Sequence, residues 1–140
     1  MKNSYRKALE IAKTVHHNQY DLSGQPYILH PLYVANNVKG KKAKIVALLH
    51  DVLEDGDISI EILKRYFSKD ICNAILALTR QQYESYFTYI KRVKEDPLAK
   101  KVKIKDLEHN MTITRLKKLT IEDFRRLSRY LKAYKELTNE

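Results

Sequence analysis

The chain has 140 residues, 44% of them hydrophobic, with a net charge of +10 and a single cysteine. That length suggests one domain over 1–140 with a sizeable core, and the lone Cys72 excludes an internal disulfide framework and fits a reducing cytoplasm. No apolar run approaches the roughly 18 residues of a membrane span, and the start reads as an amphipathic helix, not a secretory leader.

Taken in order, Asn3 or Ser4 caps a first helix whose apolar positions are Ala8, Ile11, Ala12 and Val15. It should end near His17. Asp21 to Pro26 is a loop by composition. Pro31 then suits the first turn of a second helix, with His30 near its start, Val34, Ala35 and Val38 as its stripe, and Gly40 as its stop. A central apolar helix over about 43–54 follows, then a turn at Gly56 and Asp57. Ser59 opens a short helix with Ile60, Leu63 and Phe67. Ser68 caps another with Ile71, Ile75 and Leu78. Residues 84–95 are helical, and Asp96-Pro97 marks a boundary. A helix over 98–110 and a last one over about 121–138 complete the chain, the last with Phe124, Leu127, Leu131, Tyr134 and Leu137 on one face. Strand alternation is sustained nowhere. The expectation is an all-α helical bundle of about seven to eight helices.

The central helix carries the chemistry. After Ile45-Val46-Ala47-Leu48-Leu49 come His50, Asp51, Glu54 and Asp55, which on a continuous helix share an arc of about 140°. Buried carboxylates must be paired, protonated or bound to a cation. A divalent metal is the simplest resolution; a solvated acidic face is the alternative. Asp106 continues the inward series 99, 102, 103, and Asn110 follows one turn on. It is either a core carboxylate or a surface partner of Lys103 or Lys105. His30 reads as a cap, a satisfied core group or a ligand. Two imidazoles and two carboxylates (His30, His50, Asp51, Asp106) suit Mn²⁺, Fe²⁺ or Zn²⁺, and the lack of cysteine ligands argues against structural zinc.

Several pieces then occur together: His17-x-Gln19, Ser23-Gly24-x-Pro26-Tyr27-x-x-His30-Pro31, His50-Asp51-x-x-Glu54-Asp55, Leu78-Thr79-Arg80, and Val102-Lys103-Ile104-x-Asp106-Leu107-x-His109-Asn110-Met111. In this order, over about 5–116, they resemble the HD-domain metal-dependent phosphohydrolases, in particular the hydrolase domain of the RelA/SpoT-type alarmone enzymes. The resemblance implies an HD-type bundle in which His30, His50, Asp51 and Asp106 bind one divalent ion, usually Mn²⁺. It implies that Glu54 and Asp55 orient and deprotonate the attacking water, and that Asn110 contacts the substrate. The reaction implied is removal of pyrophosphate from the ribose 3′ position of ppGpp. Lys103 is the first candidate for holding phosphates. Tyr86, Lys91 and Arg115 are further candidates, each also readable as a surface or packing residue.

One departure stands out. The alarmone hydrolases usually carry Arg-Lys before the Ser-Gly-x-Pro-Tyr segment, with the arginine packed on guanine; this chain has Asp21-Leu22. The alternatives are therefore an HD phosphatase or pyrophosphatase acting on another nucleotide, and a noncatalytic nucleotide- or nucleic-acid-binding module. The basic last helix (Arg125, Arg126, Arg129, Lys132, Lys135) is the support for the last, though it reads more simply as a solvated face. The expected partner is a small phosphorylated nucleotide, and no synthetase or regulatory domain is expected in this chain.

Overall fold

The computed structural model describes residues 2–139; Met1 and Glu140, the ends of the expected 1–140 domain, lie outside them. The helices are α1 (Lys2–Val15), α2 (Leu29–Asn37), α3 (Lys41–Leu49), α4 (Val52–Asp55), α5 (Ile60–Lys64), α6 (Lys69–Ala77), α7 (Tyr86–Lys94), α8 (Pro97–Asn110) and α9 (Ile121–Thr138), with a 3₁₀ turn at Ile113–Arg115. Among the described residues no strand forms, and Tyr20 and Pro26 make one isolated antiparallel bridge. No helix among them is long and apolar enough to cross a membrane. The all-α expectation holds.

Helix α3 is the hub, packed by α1, α2, α6 and α8. Ile45, Val46, Ala47, Leu48 and Leu49 are all fully buried, a run with no polar face because neighbours cover every side. Each large aliphatic side chain so buried contributes about 1.5–3 kcal/mol. Helices α7 and α9 pack on α8 and on each other, closing the far side. Cys72 is buried, as expected of a core thiol.

Several boundaries differ from expectation. Helix α1 already includes Asn3 and Ser4, so neither residue caps it. Gly40 does not end α2: Val38 is its C-cap, and Gly40, at φ 101°, precedes α3. That positive φ is the left-handed region glycine enters without strain. Asp96 does cap α8, its side chain accepting from the Leu98 and Ala99 N–H groups.

The last helix buries only part of the face its apolar residues suggested: Leu137 is buried, Tyr134 packs against the core and Leu127 is half-buried. Ala133 and Leu137 are its buried positions, whereas Phe124 and Leu131 are 55% and 45% exposed. A capping box fixes its start: Thr120 accepts from the Asp123 N–H, and the Asp123 carboxylate takes the Thr120 N–H.

The central helix is not continuous. It breaks at His50-Asp51, where Asp51 sits at φ −110°, ψ 0°, and α4 restarts at Val52. His50 Nδ1 lies 2.6 Å from the Ala47 carbonyl oxygen, the acceptor that an unbroken helix reserves for the Asp51 N–H. The single-arc expectation for 50, 51, 54 and 55 is corrected accordingly. His50 is buried inside the bundle, while Glu54 and Asp55 lie at its exposed edge.

Candidate metal centre

Three buried side chains meet where α2, the end of α3 and α8 converge. His30 Nε2 is 2.7 Å from Asp106 Oδ1, and His50 Nε2 is 3.5 Å from the same oxygen. One donor atom from each of His30, His50 and Asp106 lies within 4.8 Å of the other two. That is close to the span one ion can bridge with ligand bonds of about 2.1 Å. Asp51 adjoins them, its Oδ2 3.0 Å from His50 Nε2.

The hydrogen bonding orients these donors. With His50 Nδ1 donating to Ala47, its Nε2 points inward and is buried; Asp51 Oδ2 is within 3.0 Å of it but is not aligned for a hydrogen bond. An unpartnered buried ring nitrogen beside two carboxylates is what a cation's ligand leaves when considered alone. The residues therefore fit a divalent ion. Burial opposes a charged His50, but the carboxylates of Asp51 and Asp106 outweigh it and hold the His50 pKa well above its usual value. In the absence of a cation, a proton fills that role.

Asp106 is the core carboxylate of its two sequence alternatives, although it keeps the pairing with Lys103. It is buried, and it pairs with Lys103 Nζ at 2.8 Å; Lys105 pairs with Glu108 instead. Burial opposes ionising Asp106, but Lys103, His30 and His50 overcome it and hold its pKa well below the ordinary carboxylate range. Asp51 is held down to about 2 against its burial by His50 and by the Tyr27 hydroxyl, which donates to Oδ2.

Glu54 and Asp55 stand beside this cluster. Glu54 Oε1 accepts from the Arg80 backbone N–H at 2.8 Å, and Asp55 Oδ2 is 3.9 Å from His16 Nδ1. Although both retain exposed surface, loss of hydration pushes each pKa up, and the Asp51 charge adds to it. Carboxylates poised in this way suit proton transfer better than ordinary surface acids do.

The expected substrate contacts divide into groups. Asn110 Nδ2 donates to Asp106 Oδ1 at 3.1 Å. The Lys103 ammonium is mostly buried and committed to Asp106. Tyr86 has a buried hydroxyl without a partner, and the guanidinium groups of Arg80 and Arg129 lie 5.7 and 5.1 Å from its ring centre. Arg115 lines a cavity of about 330 Å³ with Tyr20, Tyr27, Asn110, Arg126 and Tyr130. Lys91 is placed elsewhere, in a groove with Phe87 and Lys132, so the cluster does not include it.

Asp21 does not stand free to repel a ligand. Its Oδ1 accepts from Ser23 N (2.9 Å), Ser23 Oγ (2.6 Å) and Gln25 N (3.0 Å), and its Oδ2 pairs with Arg115 at 3.3 Å. It organises its own loop and ties that loop to the turn after α8.

Sequence reading assigned no role to Tyr27, His16 or His109. The signal was present in their spacing: Tyr27 lies one turn before His30, and His109 one turn after Asp106. His109 is buried, its face stacked on Tyr33 (ring centres 4.0 Å apart) and its edge turned to the edge of His30 (4.9 Å). Burial and the neighbouring His30 lower its pKa to about 4.

Comparison with known proteins identifies the family. Residues 8–131 match the family described as HD domain. The chain is 42% identical over 83 residues to the guanosine-3′,5′-bis(diphosphate) 3′-pyrophosphohydrolase of Borreliella burgdorferi, covering 56% of this chain and 12% of that protein. It is 33% identical over 141 residues to the probable guanosine-3′,5′-bis(diphosphate) 3′-pyrophosphohydrolase of Synechocystis sp., covering 90% of this chain and 18% of that protein. The chain thus spans less than a fifth of the length of these relatives. A solved structure described as a metazoan ortholog of SpoT that hydrolyses ppGpp superposes with a TM-score of 0.77 at 22% identity, over 97% of this chain and 86% of the other; that likeness carries the fold. With that match running over residues 8–131, most of its length, this chain belongs to the HD-domain family.

Proposed function

We propose that this chain is a metal-dependent phosphohydrolase, acting as one HD-type domain over 1–140, that removes pyrophosphate from the 3′ position of (p)ppGpp or a closely related nucleotide. The observation that carries the reading is the buried convergence of His30, His50 and Asp106, with His50 Nε2 left unpartnered. Asp51 is the fourth ligand in this proposal, and Mn²⁺ the proposed ion. A divalent cation there acidifies water and neutralises charge on a phosphoryl oxygen.

The chain's own residues do the rest. Glu54, braced by the Arg80 N–H, takes the proton of the attacking water, and Asp55 orients that water from the next position. The water oxygen bonds to phosphorus, the ribose 3′-oxygen leaves and takes a proton, and pyrophosphate departs. Lys103 keeps Asp106 ionised. Asn110, Tyr86 and Arg115 are the proposed substrate contacts, with the nucleoside in the cavity beside Tyr27. The compartment proposed is the cytoplasm, where a lone buried thiol stays reduced.

A second reading has a specific observation in its favour. Asp21, committed to its loop and to Arg115, offers no guanidinium to stack on a guanine base. An HD phosphatase with another nucleotide as substrate keeps the same metal chemistry. Mn²⁺-loaded protein assayed against ppGpp and a panel of nucleotides, for phosphate and pyrophosphate separately, decides between the two. Pyrophosphate from ppGpp alone favours the first reading; turnover only of other nucleotides favours the second.

A further inference from the structure

The two ring nitrogens of His30 have different neighbours. Nε2 faces Asp106 Oδ1 at 2.7 Å, inside the candidate metal centre. Nδ1 faces away, 2.7 Å from Nδ1 of His109. Two nitrogens at that distance share one proton; if neither ring carried it, two lone pairs would collide. The ring planes are only 14° apart and the rings meet edge to edge, the geometry an N–H···N bond needs; His109 is held there by stacking on Tyr33 and His30 by its bond to Asp106, so neither can swing off without losing that contact.

We infer that His109 is a positioning residue that sets the tautomer of His30. When His30 offers the Nε2 lone pair to a cation, its own proton must sit on Nδ1. His109 Nδ1 must then be the acceptor, and His109 carries its proton on Nε2. His50 obtains the same result more cheaply by donating Nδ1–H to the Ala47 carbonyl. His30 has no such carbonyl; the acceptor comes from α8, three residues after Asp106. One helix therefore supplies both a carboxylate to the centre and the group that aims the opposite ligand.

The inference rests on the reading that this cluster holds a divalent ion, and the test separates the two. Metal-free protein is titrated with Mn²⁺ by calorimetry, as wild type, His109→Phe and His109→Asn. Phenylalanine keeps the stack but cannot accept; asparagine can accept through Oδ1 but does not stack. The expected result is an affinity about 10–100-fold weaker for His109→Phe, with His109→Asn closer to wild type even where its melting temperature falls. Equal affinity for wild type and His109→Phe overturns the role of His109 while leaving the metal reading intact. No Mn²⁺ uptake by the wild type overturns the metal reading itself. Ring ¹⁵N spectra of the Zn²⁺-loaded wild type give an answer that needs no variant: the proton on His30 Nδ1 supports the inference, and a proton on Nε2 overturns it.

Discussion

Lys103 Nζ lies 2.8 Å from Asp106 Oδ2, one turn apart on the same face of α8, with both side chains largely out of solvent. The pair resolves a conflict built into the site. Asp106 must be ionised to serve as a ligand, yet burial alone would protonate it. Lys103→Met removes the counter-charge and leaves a buried carboxylate whose compensation is incomplete. Metal-free Lys103→Met should lose about 3 kcal/mol of stability in urea unfolding, and saturating Mn²⁺ should restore part of the loss. A variant as stable as wild type in EDTA would mean that Asp106 does not depend on Lys103.

The pH dependence of the metal-free protein follows from opposed shifts. The folded pKa of His50 is raised, so its contribution to stability is full below its ordinary value of 6.5 and fades as pH rises through the folded value. Asp51 and Asp106 are lowered, so theirs is present above the ordinary 3.8 and is lost as pH falls, for Asp51 toward about 2. The contributions of His50, Asp51 and Asp106 are all present between pH 3.8 and 6.5, while His109, lowered to about 4, takes stability away as pH falls from 6.5, so the maximum lies toward the upper end of that window. Since Mn²⁺ must displace the His50 proton, its affinity should climb with pH and its binding should release protons. Calorimetry in buffers of different ionisation enthalpy measures that release; none at pH 6.5 would contradict the assignment.

Glu54→Gln tests the proton acceptor. The amide preserves an oxygen for the Arg80 N–H but cannot take a proton. The variant should bind Mn²⁺ as the wild type does and lose about 10²–10⁴ in rate. Single-turnover pyrophosphate release at saturating metal reads this directly, and an unchanged rate removes Glu54 from the chemistry.

Gly56 tests how tightly the acidic turn is held against α1. A Cβ there would stand 2.7 Å from Val15 Cγ1 and 3.2 Å from the Val52 carbonyl oxygen. Gly56→Ala should cost about 1–3 kcal/mol and move the adjacent Asp55. The pair Gly56→Ala and Val15→Ala should be less destabilised than the two single losses predict, because removing Val15's branches frees the space; strict additivity in thermal melts would argue against this contact.

His50 and Asp51 were legible in the chain because they violate its local pattern, ending the most apolar run; Asp106 and His30 were legible only as open alternatives, since spacing alone does not say which face of a helix is enclosed. The helix break between His50 and Val52 was not legible, because it depends on a side chain taking a backbone carbonyl, which periodicity does not register. The burial of α9 was misread for a related reason. Periodicity names an apolar face but not which of its turns the neighbouring helices cover, so Phe124 and Leu131 stay in water while Ala133 and Leu137 are enclosed. Asp21 could be read as an acidic substitution, but its three bonds to Ser23 and Gln25 required the loop to be folded.

The central claim is that His30, His50 and Asp106 hold one divalent ion that drives hydrolysis at the 3′ position. Protein stripped of metal, reloaded with Mn²⁺ and mixed with ppGpp, should bind one ion per chain and release pyrophosphate and GDP in equal amounts by anion-exchange chromatography, and His50→Ala should do neither. Stoichiometric Mn²⁺ binding that survives His50→Ala, or a fully loaded wild type that cleaves no nucleotide, would contradict it.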